Sequence, residues 1–257
     1  MTNSDAMRVA ALYRYPVKGL RPQELSSVEL EAGETFPYDR AWAIENGRGR
    51  FSPENPQHLP KINFLMLMRN ERLAALETEF DETDHTLALF RNGKQVVKGS
   101  LDTTLGRQLI EQFMASYMEQ ELRGAPHIVH AEGHSFSDVA MKCVHIVNLA
   151  SVRELERVVG KEINPLRFRA NIYVDAGDPW VEFNWVNQQL RVGDVALDVL
   201  DRTTRCAATN VDPQTAERDM AIPAALMRAY AHEDFGVYAT IAQGGKIVRD
   251  DTIRVAD

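Results

Sequence analysis

Short runs of β-forming residues, each closed by a turn signal, recur along the whole chain, and no regular alternation of strand and helix links them. RVAALYRYPVK stops at Pro16, LSSVELEAG alternates and stops at Gly33, and RAWAIEN runs into the Gly-Arg-Gly-Arg turn at 47–50. FLMLMRN and TLALFRNGKQVVKG read as further strands; in the latter, Asn92-Gly93 between two apolar runs is a strong hairpin signal. CVHIVN, FRANIYVDA, LRVGDVALDVL and GVYATIAQGGKIVRDDTIRV complete the set, the last with a Gly244-Gly245 turn.

Three segments read as helices. TLGRQLIEQFMASYMEQ spaces Leu105, Leu109, Phe113 and Tyr117 at four-residue steps, which predicts one shared apolar face. SVRELERVVG predicts a capping box of Ser151 and Glu154 and a stop at Gly160. PAALMRAYAHEDFG predicts a start on Pro223 and an end by Gly236. Short strands with few helices predict an α+β fold, predominantly β and rich in barrels, with its weakest boundary around residues 121–133.

At 257 residues, 44% hydrophobic and 26% charged, the chain can bury a real core as one large domain or two smaller ones. A formal charge of −8 argues against general binding to nucleic acid, yet leaves room for a local basic pocket around one anionic ligand. Two cysteines give no disulfide framework. The start, MTNSDAMRVAALY, lacks a signal-peptide pattern, and runs such as FLMLM are too short to cross a membrane. The expected setting is the cytoplasm, with reduced thiols and no membrane contact.

The chemistry concentrates at DRTTRCAATNVDPQT, 201–215. Arg202 and Arg205 flank Cys206, with Thr203, Thr204 and Thr209 nearby, and neighbouring cations favour the thiolate that attacks or binds metal. Local sequence alone fits a quiet structural cysteine equally well. Cys143, in an apolar strand, reads as core packing. Neither C-x₂-C pairs nor H-E-x-x-H spacing supports zinc, and no glycine-rich nucleotide motif is present. A cysteine hydrolase would need a base; His134, His145 and His232 are candidates that nothing in the sequence separates. Lys18, Arg40, Arg167 and Arg169 each read alone as surface charge; together they suit a phosphate, with Asn171 available to a polar heterocycle.

The ordered series YPVKGL, YDRAW, RFRANIYVD, W-x-E, L-x-V-G-D and RC-x-x-T-x-V-D-P resembles the MOSC family, named for the C-terminal domain of molybdenum cofactor sulfurase. Its first two pieces resemble the N-terminal β-barrel domain that precedes MOSC in the mitochondrial amidoxime-reducing component and its bacterial relatives. The resemblance implies an N-terminal β-barrel domain over 7–125 and a β-barrel-rich MOSC domain with flanking helices over 126–257. It also implies a molybdenum–pterin cofactor, in the molybdopterin form sooner than the dinucleotide, with Cys206 as metal ligand and catalytic centre. Lys18, Gly19, Arg40, Arg169, Asn171, Thr204, Arg205 and Thr209 would bind the cofactor. Gly19 stands where relatives often carry serine, and Ala170 where many carry proline. The implied activity is reduction of a small N-hydroxylated substrate with electrons from an external flavin or iron–sulfur protein. No C-x₄-C-x₂-C run is present for an iron–sulfur centre in the chain itself. The alternative implied by the resemblance is a non-redox carrier of cofactor, or of persulfide sulfur, on Cys206.

Overall fold

The structure is a computed structural model and describes residues 7–47 and 49–256. The N-terminal stretch before Met7 and Arg48 of the 47–50 turn lie outside the described residues. The strands run β1 (Arg8–Arg14), β2 (Gln23–Leu25), β3 (Ser27–Leu30), β4 (Trp42–Asn46), β5 (Glu77–Asp81), β6 (Thr86–Arg91) and β7 (Lys94–Ser100). Helix α1 (Thr104–Tyr117) follows, then β8 (Pro126–His130), β9 (Val144–Asn148), α2 (Leu149–Val159), β10 (Ile172–Asp175), β11 (Gln189–Val192) and β12 (Val195–Thr204). Helix α3 (Ile222–Tyr230), β13 (Asp234–Gln243), β14 (Gly245–Val248) and β15 (Ile253–Val255) close the chain.

The main sheet has eight strands in the order β15-β11-β12-β13-β9-β10-β1-β2. Only β9 and β10 pair in parallel among its neighbours, because α2 carries the chain back over one face between them. Alternate side chains divide the sheet between two cores. Val144, Ile146, Ile172, Val174, Val237, Ala239 and Ile241 join one core with Trp185. Val147, Tyr173 and Phe235 join the other, beneath Val152 and Leu155 of α2 and Ile222 and Leu226 of α3. A strand covered on both faces is buried at every position, and VHIVN, buried throughout, shows no alternation of inner and outer residues. A three-stranded sheet, β5-β6-β7, and the pairs β4–β8 and β3–β14 complete the β structure. The predominantly β, α+β architecture follows the sequence expectation.

Asn92 and Gly93 turn the β6–β7 hairpin as expected, both at positive φ, with Arg91 opposite Lys94. Other local readings are corrected. The buried side of α1 is Gly106, Ile110, Met114 and Tyr117, while Leu105 and Leu109 face water. Asn148, not Ser151, caps α2, accepting the Ala150 N–H at 3.0 Å; Ser151 lies inside the helix and its hydroxyl donates to buried Glu182 at 2.7 Å. Helix α3 ends at Tyr230, with Ala231 left-handed, and Gly236 belongs to β13. FLMLM is not a strand: Phe64 makes one bridge to Glu45, and the chain then turns, Met66 N donating to Asn70 Oδ1. Phe64, Leu65 and Met66 are buried, but an apolar run without alternation does not distinguish strand from turn.

Candidate functional site

Strand β12 breaks register with β13 between Arg202 and Thr204, and its last residue still pairs with Asp234. Thr204 Oγ1 donates to Asp234 at 2.8 Å and Arg205 N–H to the Glu233 carbonyl at 2.8 Å; the chain then leaves the sheet. Cys206 is extended and precedes a tight turn, Ala207–Asn210. The N–H and hydroxyl of Thr209 both donate to the Cys206 carbonyl, at 3.1 and 2.9 Å. Asp212 Oδ1 accepts the N–H groups of Gln214 and Thr215, closing the turn around Pro213. Arg167 is buried beneath the loop, donating to the Asn210 carbonyl, Asp212 and Asp219 at 3.1, 2.8 and 2.7 Å. A loop without strand partners must satisfy its backbone by such contacts. Thr204, Thr209, Asp212 and Arg167 therefore hold the loop.

The loop closes over a cationic floor. Lys18, buried, donates to the Phe136 carbonyl at 2.7 Å and to Asp138 at 2.5 Å. Gly19 beside it is left-handed (φ 86°), and a Cβ there would come within 3.0 Å of the Leu65 carbonyl oxygen. Arg40 and Arg169 are themselves left-handed, at φ 51° and 53°, a conformation that costs a non-glycine residue about 1 kcal/mol. Their guanidiniums lie 4.4 and 4.2 Å from the centre of the buried Tyr15 ring. Asp39 accepts from Tyr15 N–H at 2.8 Å and from Arg40 at 2.5 Å, and Arg40 also reaches the Arg169 carbonyl at 2.9 Å. Ring faces, a carboxylate and backbone carbonyls thus hold two like charges together.

Burial shifts these groups. It lowers Lys18 despite the opposing pull of Asp138, and lowers Arg169 to about 10. Burial would also lower Arg40, but Asp39, together with Tyr15 and Asp138, outweighs it and the group stays above its ordinary value. The Tyr15 hydroxyl, buried and without a partner among the described residues, is pushed up to about 12. Lys61 also bonds Asp138, at 3.1 Å; burial works against its charge, while Asp138 and then Cys206 hold it above the usual lysine value.

Lys18, Arg40, Lys61, Asp138, Arg169 and Cys206 line one cleft of about 470 Å³. Of the positions predicted from sequence, it brings together Cys206, Lys18, Gly19, Arg40, Arg169, Asn171, Thr204 and Arg205. Thr209 lies outside it, buried under the loop. Asn171 lines the cleft, but its amide already accepts His145 N–H at 3.1 Å and donates to the Tyr13 carbonyl at 3.2 Å, tying β1, β9 and β10 together. The cleft carries Lys18, Arg40, Lys61, Arg169, Arg202 and Arg205 against Asp39, Asp138 and Asp201. An acidic protein here concentrates positive charge.

Sequence reasoning missed Asp138, Lys61, Tyr15 and Asp39. Only Tyr15 and Asp39 had a signal, inside YPVK and YDRAW. Of the histidines, His134 and His232 are outside the cleft; His145 lines it, with Arg205 3.4 Å away, and burial holds its pKa well below the ordinary value. Gly236 makes room for that ring, since a Cβ there would stand 2.7 Å from His145 Nε2. Cys143 is buried, as expected, at the edge of the same cleft, and burial pushes its thiol up to about 11. A larger groove, about 1150 Å³, lies between β2–β3 and β5–β6 and has neither a thiol nor such a set of cations. No helix among the described residues is long and apolar enough to cross a membrane.

A thiol and a cluster of cations thus meet in one cleft of a β-rich protein whose main sheet has eight strands. The chain belongs to the MOSC-domain family: residues 6–125 match the MOSC N-terminal beta barrel domain and residues 129–254 the MOSC domain. It is 23% identical over 279 residues to human mitochondrial amidoxime-reducing component 1, covering 97% of this chain and 81% of that protein. It is 25% identical over 241 residues to the molybdenum cofactor sulfurase of Caenorhabditis elegans, covering 90% of this chain but only 33% of the sulfurase. The chain thus spans about a third of the sulfurases it matches. A crystal structure of the YUAD protein from Bacillus subtilis aligns with a TM-score of 0.46 at 13% identity, over 97% of this chain and 95% of that one.

Proposed function

We propose that the chain binds a molybdenum–pterin cofactor in the Cys206 cleft and reduces small N-hydroxylated compounds with electrons from a separate flavin or iron–sulfur protein in the cytoplasm. The observation that carries this reading is the convergence of a half-buried thiol with Lys18, Arg40, Arg169 and Arg205 in one cleft of a MOSC-family chain. The donor set fits the group. A thiolate is a soft ligand for a transition metal, and fixed cations suit a pterin phosphate. Arg205, which lines the cleft, also carries a buried Nε–H with no partner among the described residues. One cluster of cations suits a single phosphate, which favours the monophosphate form over the dinucleotide.

Cys206 would hold the metal, with Lys18, Arg40 and Arg169 on the anionic end and Gly19, Asn171, Thr204 and Arg205 lining the rest of the cleft. Thr209 would act through the loop, by holding the Cys206 carbonyl. When bound, the cofactor supplies two-electron chemistry: the N–O bond breaks with two electrons and two protons, releasing water and the reduced nitrogen compound. The chain's own share is placement and electrostatics.

The match to sulfurases over 90% of this chain favours a second reading, in which the chain carries cofactor or persulfide sulfur without turning over. Turnover of benzamidoxime with an artificial reductant, on cofactor-loaded protein, separates the two. The reductase reading expects benzamidine at many equivalents per protein and none from Cys206→Ala. Loaded protein inert with every reductant supports the carrier.

A further inference from the structure

Arg218 does not line the cleft, yet its side chain bonds residues on both segments beside Cys206. Its guanidinium donates to the Ala207 carbonyl at 3.0 Å, next to Cys206. It also donates to the carbonyls of Leu67 and Met68, at 2.9 and 2.8 Å, and to Glu71 Oε2 at 3.1 and 3.2 Å. Its backbone bridges Val211, at the end of the cysteine loop. Leu67, Met68, Cys206 and Ala208 all line the cleft, from two segments well apart in the sequence. One side chain, two-thirds shielded from water, therefore ties these two cleft-lining segments to each other.

We infer that Arg218 is a positioning residue that sets the width of the cleft mouth over Cys206, and so the size of the molecule that reaches the sulfur. Three carbonyls and a carboxylate spread over two segments need the planar, multi-donor fork of arginine; a lysine ammonium cannot span them. Without the fork, the 67–71 segment and the 206–208 turn lose their direct polar link at the mouth. Arg21 joins the same two regions farther away, donating to the Ala74 carbonyl at 2.7 Å and the Gln214 carbonyl at 3.2 Å, and does not line the cleft. It therefore separates loss of a clamp at the mouth from general loosening. The inference shares with the proposed function only the choice of Cys206 as the reactive centre, and thiol alkylation of the metal-free full chain reads it whether or not molybdenum ever binds.

The test is the rate of Cys206 alkylation by iodoacetamide and by bulky N-(1-pyrenyl)maleimide, with adducts at Cys206 and Cys143 assigned by peptide mass. In Arg218→Ala the bulky-to-small rate ratio is expected to rise about tenfold over the unsubstituted protein, the worth of one charge-assisted hydrogen bond. Arg218→Lys should fall between, and Arg21→Ala should leave the ratio unchanged. If Arg218→Ala fails to fold, Arg218→Lys gives the decision. A ratio unchanged in the folded Arg218 variants, or raised equally by Arg21→Ala, would overturn the inference.

Discussion

Asp138 bridges two lysines, Lys18 at 2.5 Å and Lys61 at 3.1 Å, and its side chain is 45% exposed against 8% for Lys18. Burial alone would raise its pKa; the two ammonium groups outweigh that and hold the carboxyl well below the ordinary range. A carboxylate depressed in the folded state stabilises fully above its unfolded pKa, about 4, and loses that contribution as pH falls through the lower folded value. Asp138→Asn is therefore expected to lower stability by roughly 1–2 kcal/mol at pH 7, less than a fully buried pair because water reaches the carboxyl. The deficit should shrink as pH drops below 4. Thermal unfolding from pH 7 to pH 3 checks this; an equal Tm offset at every pH would contradict it. Asp138 was illegible in the sequence because an isolated carboxylate in SFSDVAMK resembles any loop residue. Cys206 stood out through its flanking arginines, yet its nearest structural support, Thr209 and Arg167, works on backbone carbonyls that sequence does not display.

Helix α1 shows what periodicity gives at the scale of an element. Four-step spacing located the helix, but more than one set of positions satisfied it, and the tertiary partner chose between them. Gly106 packs where a Cβ would lie 2.2 Å from the Ser100 carbonyl oxygen, which turns Ile110 and Met114 inward and Leu109 outward. Ile110→Ala is expected to cost about 2–4 kcal/mol, and Leu109→Ala, at an exposed site, less than about 0.5 kcal/mol. Chemical denaturation of both variants checks the assignment, and equal losses would contradict it. The capping box on α2 failed for a related reason. Glu182, fully buried, takes the Ser151 hydroxyl, and burial raises its pKa against the bonds from Ser151 and Asn148. The glutamate of W-x-E is thus committed to holding α2 on the sheet. The Asn92-Gly93 hairpin was legible because its turn chemistry is local; the FLMLM turn was not, since its buried contacts come from elsewhere in the chain.

Across the molecule, the two halves interlock. Strand β1 pairs with β10, β4 with β8, and β3 with β14, so the N-terminal segments complete sheets whose other strands come late in sequence. This interleaving brings Lys18, Arg40 and Lys61 to the same cleft as Arg169 and Cys206. The ordered motifs pointed to such a meeting, but spacing alone could not place residues well over a hundred positions apart in one pocket. The overall charge of −8 likewise hid a cleft dominated by cations. The central claim is that this cleft holds molybdenum through Cys206. The most direct measurement is molybdenum and pterin per chain for protein purified from a cofactor-competent host, beside Cys206→Ala. The expected result is about one molybdenum per chain with bound pterin in the unsubstituted protein, and loss of most of the metal in Cys206→Ala, the soft ligand being gone. No molybdenum in either protein, or the same amount in both, would contradict it.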